Sequence, residues 1–68
     1  MSIQSVRFDR DKYTITEAYN WLMKHEIYPI KPVDISKNQL RFRITEPELY
    51  EKMRYKKIYD GINFILGY

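Results

Sequence analysis

Residues 45–66 read T-E-P-E-L-Y-E-K-M-R-Y-K-K-I-Y-D-G-I-N-F-I-L, and the fold turns on how this stretch is assigned. Its first half resembles a helix start. Thr45 is a good capping residue and Glu48 follows at capping-box spacing. Pro47 falls in the first turn, where a missing amide hydrogen costs least. Leu49 and Met53 stand four apart and would share a core-facing stripe. A second helix is therefore expected, although its pattern fades after Tyr55. Asp60-Gly61 is a turn signal. Residues 62–68 then read as a strand with Ile62, Phe64 and Leu66 on one face and Ile65 on the other. A competing assignment pairs residues 57–59 with 62–64 as a hairpin about Asp60-Gly61 and shortens the second helix.

The upstream chain supplies the partners. Residues 14–25, T-I-T-E-A-Y-N-W-L-M-K-H, carry a capping box in Thr14 and Glu17. Ile15, Ala18, Tyr19 and Leu22 fall on one helical face, with Trp21 and His25 on its flank. This helix is expected to stop near Glu26, ahead of Pro29 and Pro32. Residues 3–8 read as a strand, with Gln4, Val6 and Phe8 on one side and Ile3, Ser5 and Arg7 on the other. Residues 30–35 read as an extended sheet edge with Val33 and Ile35 on one face. Residues 40–44, L-R-F-R-I, alternate strictly: Leu40, Phe42 and Ile44 inward, Arg41 and Arg43 outward. The expected order is β-α-β-β-α-β. It gives an α+β fold of the split β-α-β (ferredoxin-like) kind, with two helices on one face of a small, mainly antiparallel sheet. All 68 residues would form one compact domain.

Composition narrows the class. With 44% hydrophobic and 16% aromatic residues, the chain is too rich in core formers to be disordered. The absence of Cys excludes disulfides and thiolate metal sites. No apolar run approaches the ~20 residues that cross a bilayer, and the first residues lack the apolar core of a secretory signal. An intracellular location is expected, with no membrane partner. The net charge of +3 resides wholly in residues 35–68, which carry seven Lys/Arg against four Asp/Glu. Such a surplus permits an anionic partner without demanding one.

A family resemblance rests on three short motifs. Lys12, Tyr13, Thr14, Glu17, Ala18, Trp21, Leu22 and His25 form the first. Arg41, Phe42 and Arg43 form the second. Lys56, Lys57, Ile58, Gly61, Ile62, Phe64, Gly67 and Tyr68 form the third. Together they resemble a small α+β domain found in tailed-phage and large double-stranded DNA virus proteins. Tyr13 departs from that pattern, which has Trp there. The family has no settled activity, so no catalytic residue is carried over. The resemblance implies a viral origin and a virion or accessory role.

Catalytic signals are sparse. His25 is the single histidine, and its position at a helix C-terminus suits its cationic form. Asp9 and Asp11 form a D-x-D pair, but Arg10 and Lys12 interleave them, and a charged turn is the simpler reading. No enzyme, cofactor or metal is implied. Two binding readings remain. Protein association, including self-association, would use Tyr19, Tyr28, Tyr50, Tyr55 and Tyr59. Sequence-independent nucleic-acid binding would use Arg41, Arg43, Lys52, Arg54, Lys56 and Lys57 on phosphates. Phe42 and Phe64 are in phase with the core, so a base-stacking platform of the RNA-binding kind is not expected.

Overall fold

The computed structural model describes residues 2–68. Five strands form one antiparallel sheet: β1 (Ser2–Asp9), β2 (Asp34–Ile35), β3 (Gln39–Arg43), β4 (Met53–Tyr59) and β5 (Ile62–Gly67). Their spatial order is β2-β3-β1-β5-β4. One helix, α1 (Ile15–Lys24), covers one face. The fold is thus mixed α+β, but the split β-α-β order with two helices is corrected to a five-stranded sheet with one.

The correction lies in residues 45–59. Only a single 3-10 turn forms there, Pro47–Leu49, with no side-chain cap. The Thr45 hydroxyl is engaged elsewhere: it donates to the Ile3 carbonyl at 3.0 Å and lies 2.7 Å from the Tyr50 hydroxyl. Leu49 and Met53, the supposed core stripe, are 71% and 43% exposed. One apolar pair is too little burial to hold a helix, since most helical stability in proteins comes from packing an apolar face. The chain instead folds back about Asp60-Gly61, as the hairpin assignment has it, but pairing extends to Met53 opposite Gly67. Gly61 has φ +83°, and an added Cβ there would lie 2.8 Å from Lys12 Cδ. Glycine is the residue that fits this turn.

α1 forms as its spacing predicts. Thr14 Oγ1 accepts from the Glu17 amide at 3.2 Å, and the Thr14 amide donates to Glu17 Oε1 at 3.0 Å. Ala18 and Leu22 are fully buried, whereas Ile15, expected inside, is 40% exposed. The helix ends before the prolines act. The Ile27 amide donates to the Leu22 carbonyl and the Glu26 amide to the Met23 carbonyl. This is the Schellman pattern. It forces Glu26 to φ 57°, a left-handed position usually held by Gly.

The core lies between α1 and the sheet. Val6, Phe8, Leu40, Phe42 and Ile62 are buried against Ala18 and Leu22. Phe8 is its hub, edge-on to Tyr13, Trp21 and Phe42 with centroids 5.3, 5.8 and 5.6 Å away. A register shift in β1 between Ile3 and Ser5 turns Ile3 toward the core, against the alternation expected for it. Of the extended segment 30–35, only Asp34–Ile35 forms a ladder with β3, and the Ile30 amide adds one bond to the Arg43 carbonyl at 2.9 Å. Val33 packs on the core while Ile35 is 54% exposed. No helix among the described residues is long and apolar enough to cross a membrane.

Candidate polyanion-binding face

Strand alternation fixes what the uncovered face of the sheet carries. Register aligns Leu40, Phe8, Ile62 and Tyr59 in a row on the helix side. The neighbouring row therefore points the other way. It reads Asp34 on β2, Arg41 on β3, Arg7 on β1, Asn63 on β5 and Lys57 on β4. The row two residues further along holds Arg43, Ser5, Ile65 and Tyr55. Four cations thus project from the face away from α1, over Ser5 and Ile65, which are themselves buried. From Arg41 to Lys57 they cross three strand spacings, about 14 Å.

Their anionic partners are few. Arg41 Nη2 meets Asp34 Oδ2 at 2.8 Å. Glu46 is shared between Lys31, at 3.5 Å, and Arg43, at 3.9 Å. Among the described residues Arg7 and Lys57 have no ion pair. Arg7 Nη1 instead contacts the Tyr55 hydroxyl and Gln39 Oε1, the latter at 3.5 Å. The Arg7 guanidinium lies 5.1 Å from the centroid of the Tyr55 ring. Its Nε is buried with no hydrogen-bond partner. Arg7 and Arg41 stand directly opposite each other across the β1–β3 pair. Like charges in that relation are destabilising by some ~0.2–1 kcal/mol. A cleft of about 310 Å³ opens beside them, lined by Arg7, Arg41 and Gln39 and by Asp34, Ile35 and Ser36 from the β2 side.

The six cations nominated from sequence do not stay together. Arg41, Arg43 and Lys57 share the open face. Arg54 and Lys56 project to the helix side of β4, opposite Leu66 and Phe64, and Arg54 lies 5.6 Å from the Tyr68 ring. Lys52 precedes β4 in an exposed turn. Read as one cluster along the sequence, residues 52–57 are split by the pleat. Arg7 was not nominated. Its signal was the outward phase of residues 3–8, and only the register brings that phase beside Arg41.

The tyrosines are scattered as well. Tyr19 is half-buried, edge-on to Phe42 at 4.9 Å. Tyr50 is half-buried, and its ring lies on Gly67, where an added Cβ would sit 2.3 Å from it. Tyr28, Tyr55 and Tyr59 are exposed. Tyr55 belongs to the open face. Tyr59 lies on the helix side, edge-on to Trp21 at 6.2 Å. The expected packing of Phe42 and Phe64 is seen: Phe42 is fully buried and Phe64 packs against the core.

The residues weighed for catalysis have local roles. The His25 ring stacks on Trp21 with centroids 4.0 Å apart, and its Nδ1 lies 2.8 Å from the Trp21 carbonyl. The Asp9 carbonyl accepts from the amides of Lys12 and Tyr13, closing the turn into α1. No group of three His, Asp or Glu suited to a cation occurs among the described residues. Lys12 Nζ meets Asp60 Oδ2 at 2.6 Å. That hydrogen bond, with the charge attraction behind it, raises the Lys12 pKa and lowers that of Asp60. Both groups are exposed, so the pair steers the β4–β5 turn toward α1 more than it stabilises.

Compared with known proteins, the chain matches no family model, no curated protein and no solved structure. Its function is argued from its own surface.

Proposed function

We propose that this chain is a non-enzymatic binding module that holds single-stranded nucleic acid by its phosphates on the open face of the sheet. One observation carries the reading: Arg7 faces Arg41 across the β1–β3 pair with no carboxylate of its own. A fold gains nothing from opposing two guanidinium groups, whereas an incoming phosphate bridges them with charge-assisted hydrogen bonds. Arg43 and Lys57 extend the track to either side. Tyr55, 59% exposed beside Arg7, offers one ring for a base. With no base-edge readers beyond Asn63 and Gln39, binding is sequence-tolerant.

Fluorescence anisotropy with labelled single- and double-stranded DNA and RNA, across a salt series, tests this. Three to four phosphate contacts on a single strand give a slope of log K against log salt of about −2 to −3. Single strands bind more tightly than duplexes because only they can lay a base on Tyr55. No binding at low salt overturns the proposal, and so does binding that ignores salt.

Protein association, in a virion or as an accessory factor of viral origin, is the second reading. It is favoured by exposed Tyr28 and Tyr59, the latter on the helix side of the sheet, and by the open edge of β4.

A further inference from the structure

We propose that the free edge of β4 is a docking strand for an extended acidic segment of another protein, which adds to the sheet as a sixth strand. The inference rests on the protein-association reading; the edge shares Tyr55 and Lys57 with the cationic face, and its test uses no nucleic acid.

The two edges of the sheet differ sharply. β2 is two residues long and follows Pro29 and Pro32. Short edges, prolines and charged side chains, Lys above all, are the usual means of closing an edge; β4 has only the last along its regular part, in Arg54, Lys56 and Lys57, which bar a like-charged strand and admit an acidic one. β4 is seven residues long, and five of them, 53–57, pair in continuous register with β5. The register shift after Lys57 limits the regular edge to those five. Every residue of β4 except Ile58 is exposed. On the far side of β4 from β5, alternate residues of such an edge present unpaired N–H and C=O groups, a template for a further strand.

The side chains select the occupant. Along residues 53–57 the sequence is M-R-Y-K-K. Arg54 and Lys56 flank the edge on the helix side and Lys57 on the open side. None has an ion pair among the described residues. A second copy pairing residues 53–57 with themselves about a two-fold axis at their centre, Tyr55, would set Arg54 against Lys56 twice. Like charges directly opposed disfavour it. Pairing β4 to the β2 of another copy offers two residues of ladder. An acidic strand meets neither obstacle. The best match has carboxylates two residues apart opposite Arg54 and Lys56, with an apolar side chain between them against Tyr55. The peptide backbone supplies affinity and the carboxylates supply register.

A labelled eight-residue peptide alternating Glu and Val is the probe. Its control has the same sequence with alternate amides N-methylated, which keeps the charge and removes the ladder. The expected result is binding at least about tenfold tighter than the control, the loss of one or more backbone hydrogen bonds. Hydrogen exchange should slow at alternate amides within residues 53–57. Arg54→Glu with Lys56→Glu should abolish binding of the Glu/Val peptide and create binding of a Lys/Val peptide, which also proves that the variant is folded. Equal binding of peptide and control overturns the inference, as does the absence of binding. Binding with unaltered exchange in residues 53–57 overturns the edge but leaves protein association standing. Protection of those amides that rises with protein concentration alone assigns the edge to a second copy and overturns the acidic partner.

Discussion

Arg7 is the residue on which the functional reading turns, because it faces Arg41 with no carboxylate of its own. Facing Arg41 is unfavourable; resting against Tyr55 returns a cation–π term of similar size, about 0.5–1 kcal/mol at an exposed site. The two nearly cancel. Arg7→Gln should therefore change the unfolding free energy from urea titration by no more than ~0.5 kcal/mol, while weakening single-strand binding by the charge-assisted contact, about 1.5–3 kcal/mol. A variant that binds normally and unfolds early would make Arg7 a structural residue. Glu26 makes the converse case. Its φ of 57° costs a non-glycine residue about 1 kcal/mol. Glu26→Gly should raise stability by roughly that amount in chemical unfolding followed by Trp21 fluorescence. No gain would mean that the extra freedom of glycine in the unfolded chain offsets the relief.

At the scale of elements, β4 separates what the sequence discloses from what it hides. α1 is readable because Thr14, Glu17, Ala18 and Leu22 state cap, spacing and burial within one short stretch of chain. β3 was readable because Leu40 and Phe42 alternate with Arg41 and Arg43. Residues 45–59 misled because capping chemistry is local. Thr45 and Glu48 have the right spacing, yet the Thr45 hydroxyl is taken by Ile3 and Tyr50, residues a sequence does not bring near. Strand β4 buries almost nothing, so no alternation of apolar residues marks it. Its stability comes from the ladder to β5. The cation row across β3, β1, β5 and β4 was hidden for the same reason, since register belongs to pairs of strands. Leu49→Ala measures the difference between the two assignments. In a core-facing helix it would cost about 2–5 kcal/mol. At 71% exposure it should cost within ~0.5 kcal/mol.

At the scale of the whole molecule, one helix against five strands leaves a thin core and one sheet face without a helical cover. A chain of this length has some 3–10 kcal/mol of total stability. Phe8 is fully buried and touches three other rings. Phe8→Ala should remove about 3–5 kcal/mol and leave the protein largely unfolded at 37 °C, visible as lost near-ultraviolet circular dichroism. Retained native signal would place the core elsewhere. The uncovered face is the counterpart of that economy: it holds Arg7, Arg41, Arg43 and Lys57 in fixed register on paired strands rather than on a mobile loop. Chemical-shift mapping of the 15N-labelled protein with a short single-stranded oligonucleotide at low salt tests this assignment most directly. The shifts should concentrate on Arg7, Arg41, Arg43, Tyr55, Lys57 and Asn63 and fade as salt is added. Shifts gathered on α1 and the helix side of β4, or none at all, would contradict it.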